Sequence, residues 1–262
     1  MSREWAVVES SHPGSSHRRA RKRCQDFYAT KLVRVGRGVF LVAAVADGAG
    51  GARFGGAGAR LAVKSILRRL ATTLKRCGGT AEIQRNDMVA ALSAVRRTVR
   101  RRAGHRPVSD FACTLAVAII GRDGAAFGQI GDSVIVARYE DTFQTVFWPD
   151  NGEFINTTVF LTSGTLEENL RFANHPVRPL DVALFTDGLS TMALNLSARR
   201  AHGPFFAPLF KSLRLQVQQR VPLSALRQQL HQFIGSDGVD GRSEDDRTLV
   251  LISALGGAHD GR

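Results

Sequence analysis

The chain is poor in cysteine and shows no pairing pattern among the three it has, Cys24, Cys77 and Cys113. No two form a C-x-x-C pair, and an odd number makes a poor disulfide framework. Reduced thiols without a catalytic role, in a cytosolic setting, are the expectation. Long apolar runs are also missing. A membrane span needs roughly 18 apolar residues in a row, whereas Val39–Ala46 is short and stops at Asp47. Met1–Glu9 has no basic segment leading into an apolar one, so no secretory leader is expected. A cytoplasmic protein without membrane contact is predicted.

Several hydrolase signatures are absent. A cysteine phosphatase needs C-x5-R, but the sixth residue after each cysteine is Thr30, Ile83 or Ile119. No D-x-D pair follows a strand, which excludes an aspartyl-phosphate enzyme of that type. The glycine-rich stretch Gly48–Gly58 runs into Ala59-Arg60 and not into the Gly-Lys-Ser/Thr of a phosphate-binding loop. No H-E-x-x-H spacing supports a zinc hydrolase.

Acidic residues are outnumbered. Lys and Arg total 36 against 23 Asp and Glu, a net charge of +13. Such a balance favours nucleic acid, anionic lipid or phosphorylated partners. The arginines are dispersed, however, and densest at Arg18–Arg23 and Arg96–Arg102. The second group lies on and after a helix whose apolar face is Met88, Leu92, Val95 and Val99, and reads as a solvated face. Aromatic residues do not alternate with the cations, so single-stranded nucleic acid is not the expected partner.

What is present fits one globular domain spanning 1–262, with 44% hydrophobic residues. Trp5–Val8 reads as a strand and Ser10–Arg23 as a loop. Phe27–Val35 and Val39–Ala46 read as strands joined by a turn at Gly36 and Gly38. Helices are predicted from about Gly58 to Lys75 and over Asp87–Arg102. Phe111–Ile120, Ala125–Ile130, Val134–Tyr139 and Phe143–Phe147 read as a meander of antiparallel strands. Asp150–Pro179 reads as mostly irregular, with a strand-like piece at Val159–Leu161. Val182–Thr186 and Thr248–Ile252 are the last strands, flanking a helical stretch from Leu189 to Phe233. This order predicts an α+β fold, a β-sandwich of two mainly antiparallel sheets flanked by helices in four layers, αββα.

Aspartates recur where apolar strands begin or end: Asp26, Asp47, Asp132, Asp187, and the pair Asp245-Asp246. Each alone suits a turn. Together, on different strand ends, they can converge at one edge of a sandwich. Carboxylates in such number repel one another unless cations neutralise them. Hard divalent cations favour this donor chemistry, and glycine after Asp47 would let a backbone carbonyl approach the same ion.

The same residues carry a family resemblance. Ser16-His17 with Cys24-Gln25-Asp26, Ala44–Gly50 (A-V-A-D-G-A-G) and Asp110–Leu115 (D-F-A-C-T-L) come first. Gln129–Ser133 (Q-I-G-D-S), Asn151–Asn156 (N-G-E-F-I-N), Ala183–Leu189 (A-L-F-T-D-G-L) and Glu244–Leu251 (E-D-D-R-T-L-V-L) follow in order. This set resembles the metal-dependent serine/threonine phosphatases of the type 2C family, in a bacterial branch. The resemblance implies two ions of Mn²⁺ or Mg²⁺. It places Asp47 as a bridge between them, the Gly48 carbonyl on the second, and Asp187 and Asp245 on the first. Asp132, with Asp187, would hold a weaker third ion, and Asp26 would orient metal-bound water. Asp245 is preferred over Asp246 because Thr248 aligns with the end of the family's D-N-x-[ST] pattern.

Two residues depart from that pattern, Gln25 for glutamate and Asp246 for asparagine. The family's phosphate-binding arginine falls at Arg21, and His17 is the alternative for protonating the leaving group. The expected activity is hydrolysis of phosphoserine and phosphothreonine in proteins by a metal-activated water, in a signalling module with a partner kinase. The alternative is a degenerate phosphatase that binds phosphoproteins as a regulator.

Overall fold

The structure is a computed structural model, and it describes residues 4–149 and 158–255. In chain order its elements begin with β1 (Trp5–His12), α1 (Ser15–Arg19), β2 (Phe27–Val35), β3 (Gly38–Ala46), α2 (Gly55–Cys77) and α3 (Arg85–Ala103). Four strands follow, β4 (Leu115–Ile120), β5 (Ala125–Ile130), β6 (Val134–Tyr139) and β7 (Thr142–Thr145). Next come α4 (Leu166–Asn169), β8 (Arg171–His175), β9 (Asp181–Phe185) and α5 (Ser190–Ala193). A small hairpin, β10 (Leu194–Asn195) and β11 (Arg200–Ala201), precedes α6 (Gly203–Gln218), α7 (Leu223–Ile234), α8 (Asp237–Asp240) and β12 (Arg247–Ala254).

Two five-stranded antiparallel sheets result, ordered β1-β12-β9-β6-β7 and β2-β3-β4-β5-β8. They stack face to face. Leu41, Ala43 and Val45 of β3 point between the sheets, where they meet Val182, Leu184, Val250 and Ile252 from the other sheet. Val42, Ala44 and Ala46 point the opposite way, onto α2 and α3. On the far side, Phe185, Leu249 and Leu251 pack against Phe206, Phe210, Leu226 and Leu230 of α6 and α7. Both faces of the central strands are therefore covered, which is why they read as unbroken apolar runs and not as an alternation. The expected four-layer αββα sandwich is what the chain forms.

The expected meander is not formed. β4 and β5 pair in one sheet and β6 and β7 in the other, so the chain changes sheets between Ile130 and Val134. Gly131 makes the change, with φ of +90°, a conformation that L side chains rarely adopt. Ala125–Ile130 and Val134–Tyr139 are equally apolar, and nothing in their periodicity separates one sheet from two. The stretch expected to be irregular contains α4 and β8, an edge strand whose Arg171, Asn174 and His175 hide its strand character. Val159–Leu161 is not a strand. β1 runs on to His12, a helical turn occupies Ser15–Arg19, and β4 begins only at Leu115, after a 3-10 turn over Val108–Phe111. Asn151–Asn156 lies outside the described residues.

Arg96 is not part of a solvated face. Its guanidinium donates to the carbonyls of Leu161 (2.9 Å), Ser163 (2.7 Å) and Gly164 (3.0 Å), tying that loop to α3. Among the described residues no helix is long and apolar enough to cross a membrane.

Candidate metal centre

Strand pairing brings the aspartates together. Phe27 at the start of β2 pairs with Ala46 at the end of β3. Phe185 at the end of β9 lies between Leu249 near the start of β12 and Val134 at the start of β6. Asp26, Asp47, Asp132, Asp187 and Asp245 each sit just beyond one of these strand ends, so five carboxylates reach one edge of the sandwich.

The backbone at Asp47 is held firmly. Its amide donates to Thr114 Oγ1 (2.9 Å), its carbonyl accepts from the Thr114 amide (2.8 Å), and Thr114 Oγ1 lies 2.8 Å from Ser133 Oγ. Gly48 must be glycine, because a Cβ there would fall 2.4 Å from the Gly55 carbonyl carbon at the start of α2. Burial pushes the Asp47 carboxyl well above its usual range, and the nearby charges of Asp26, Asp245 and Asp132 add to the shift.

Asp26 is buried. Its Oδ2 accepts from Thr186 Oγ1 (2.7 Å) and Thr248 Oγ1 (2.8 Å), joining the end of β9 to the start of β12. Burial outweighs those two hydroxyls and raises its carboxyl to about 7. Asp187 is raised to about 8, first by burial, then by the charges of Asp47, Asp132 and Asp245. Asp132 Oδ2 accepts from Thr158 Oγ1 (2.7 Å). Oδ1 of Asp26, of Asp132 and of Asp187 is in each case buried without a hydrogen-bond partner among the described residues.

The Asp245-Asp246 pair divides its labour. Asp246, only 2% exposed, accepts from the amides of Gly14 (2.8 Å) and Gln25 (2.6 Å), and Oδ2 lies 2.8 Å from His17 Nδ1. It fastens the segment that carries His17 and Asp26. Asp245 is the member whose charge reaches Asp47 and Asp187. Asp246→Ala should therefore strip an acceptor from two amides and lower unfolding stability by about 1–3 kcal/mol. Urea titration checks this, and an unchanged midpoint would deny Asp246 the fastening role.

Arg21 is exposed, in the left-handed region at φ of 53°. Among the described residues, no hydrogen bond or ion pair joins it to the aspartates. Thr114, Ser133, Thr186 and Thr248 hold the site in shape, and sequence reading gave them no role. All four lie inside or beside the quoted motifs, which is the signal that could have found them.

The donor set suits hard cations. Carboxylates from separate strands are crowded enough to add to one another's proton affinity, and three buried oxygens, on Asp26, Asp132 and Asp187, lack partners among the described residues. Divalent cations would satisfy both conditions. Among the described residues no group of three or more His, Cys, Asp or Glu side chains closes into a ready-made cage. Mg²⁺-type ions retain several waters and need few direct protein ligands, so an open site is compatible with them. Cys113 and Cys24 are poorly placed as nucleophiles: burial pushes Cys113 up to about 12, and Cys24 is also raised, first by burial and then by Asp26 and Asp246. Replacing Cys24, Cys77 and Cys113 by serine or alanine should leave turnover within a few-fold. A loss on the order of 10³-fold in a folded variant would make a thiol catalytic.

Comparison with known proteins agrees with this architecture. The family model described as Protein phosphatase 2C matches residues 13–235. The chain is 35% identical over 254 residues to serine/threonine-protein phosphatase 3 of Escherichia coli (strain K12), covering 94% of this chain and 97% of that one. Among solved structures, the S. agalactiae serine/threonine phosphatase superposes with a TM-score of 0.61 at 16% identity, covering 96% of this chain and 100% of the other. PppA, a key regulatory component of T6SS in Pseudomonas aeruginosa, superposes with a TM-score of 0.59 at 20% identity, covering 97% and 99%. At those identities the structural matches speak for the fold alone.

Proposed function

The chain belongs to the protein phosphatase 2C family and is a protein serine/threonine phosphatase, and from that premise we propose that its aspartate cluster holds two divalent cations, Mn²⁺ or Mg²⁺, for the hydrolysis. The observation that carries this reading is the gathering of five carboxylates from separate strand ends at one edge, where burial first and neighbouring carboxylates second raise Asp47 and Asp187. Such crowding is costly in a metal-free site and favourable in a loaded one.

Asp47 would bridge both ions and the Gly48 carbonyl would serve the second. Asp187 and Asp245 would hold the first, and Asp132, with Asp187, a weaker third. Bound there, paired cations lower the pKa of water and neutralise charge on a phosphoryl group. The protein's own part is placement. Asp26 is fixed by two threonine hydroxyls and orients water. The hydrogen bonds of Thr114 and Ser133 keep Asp47 from shifting. His17 is the better supported candidate for giving a proton to the departing serine or threonine oxygen, because Asp246 holds its Nδ1. Arg21 has no comparable support.

The binding-only alternative gains nothing from the site, since every core aspartate is present and clustered. One domain would carry the activity, in the cytoplasm, on phosphoproteins made by a cognate kinase. Release of phosphate from a phosphothreonine peptide in the presence of Mn²⁺ tests the reading. No release from the folded, Mn²⁺-treated protein would favour the regulator instead.

A further inference from the structure

Beside the aspartates runs a surface groove of about 960 Å³. Lys22, Arg23, Arg53, Arg60, Lys64 and Arg102 all line it, against a single acid, Asp110. All six cations are exposed. One wall includes Gln25, which precedes Asp26, and the other is Gly50–Gly56, which follows Asp47-Gly48. The groove therefore adjoins segments that carry two of the clustered aspartates.

Its construction suits an extended anionic chain. Gly50 and Gly51 have open space where side chains would stand, so a peptide backbone can lie close. α2 begins at the groove with Gly55, Gly56 and Ala57, without an acidic residue in its first turn. No carboxylate of its own first turn therefore offsets the positive end that it turns to the groove. Two aromatic rings sit nearby, each with two cations close to it. Arg60 lies 4.5 Å and Lys64 5.8 Å from the centre of Phe27, and Arg53 and Arg106 each lie 5.3 Å from that of Phe54. Those contacts help fix where the cations stand, and a nucleic-acid base would have to compete with them to stack on either ring.

We propose that this groove binds an acidic flank of the phosphoprotein substrate, a run of Asp, Glu or further phosphorylated residues next to the phosphate that is removed. The proposal rests on the phosphatase reading above and adds the substrate class. A cluster of like charges along a concave wall concentrates such ligands and speeds their capture. The effect shrinks as salt shortens the range of the field.

The test uses binding and turnover together. Two fluorescent phosphothreonine peptides, one with acidic and one with neutral flanks, are titrated against the full chain by anisotropy in low salt. Oligo-dT of matching charge is the third probe. Arg60→Glu/Lys64→Glu and the milder Arg60→Gln/Lys64→Gln variants are measured alongside, with hydrolysis of a small aryl phosphate. The wild type should bind the acidic peptide about 10-fold more tightly than the neutral one. Both variants should narrow that gap, the reversal abolishing it, with aryl phosphate turnover within about two-fold of wild type. Equal binding of the two peptides, or a preference untouched by both variants, would overturn the proposal. So would tighter binding of oligo-dT lost in the same variants. Acidic-peptide preference without any hydrolysis would uphold the groove while the phosphatase reading failed.

Discussion

Asp47→Asn is expected to cut turnover by at least about 10²-fold while leaving a folded protein. As the proposed bridge, Asp47 would serve both ions, so its loss would disturb positioning and charge stabilisation together. Asparagine preserves the size of the side chain but not its charge, and an amide is a poor bridging ligand. The backbone bonds to Thr114 do not involve the carboxyl, so the local fold should hold. Removing one of several crowded carboxyls relieves repulsion, so the metal-free variant should be at least as stable as wild type. An ordinary turn residue would behave otherwise, because asparagine before glycine turns the chain as well as aspartate does. Turnover and Mn²⁺ affinity, both near normal in the folded variant, would remove Asp47 from the centre of the site.

Chelation is expected to have the largest effect, a complete and reversible loss of activity. Without cations the site holds carboxyls whose proton affinity is raised by burial and by one another. Asp187 stands at about 8 and Asp26 at about 7, against an ordinary 3.8. Across the interval from the ordinary value to the raised one, the folded state binds more protons than the unfolded state. The stability these groups contribute is present below the ordinary value and is lost as pH rises through the folded one. The metal-free protein should therefore lose stability between about pH 4 and about pH 8. Mn²⁺ should flatten that loss, since a cation replaces the protons and binds the folded state alone. Urea midpoints with Mn²⁺ and with chelator, taken across this range, check the sign. Metal-free stability that rises with pH would contradict the crowding at Asp187 and Asp26.

The aspartates were legible in the sequence because each marks the end of an apolar run, and strand ends in a sandwich share an edge. The layer arrangement was legible for a related reason. Strands apolar on both faces need cover on both faces, and the helices with single apolar stripes supply it. The change of sheet at Gly131 was not legible, because pairing partners are chosen by tertiary packing and both candidate strands carry the same pattern. β8 was hidden by polar residues that an edge strand tolerates. The steric demand that the start of α2 places on Gly48 is a second reason for glycine there, and it was not legible because Gly55 becomes its neighbour only in the fold. The role of Asp246 depends on amides of Gly14 and Gln25, more than two hundred residues away in sequence, and no local spacing reports such a contact.

The most direct test of metal-activated hydrolysis is one titration with two readouts. The full chain, stripped by chelator and dialysed, is titrated with Mn²⁺ while bound metal and phosphate release from a phosphothreonine peptide are followed on the same sample. Turnover should start at background and rise in step with occupancy of the aspartate site. Full phosphate release before any metal is bound would contradict it.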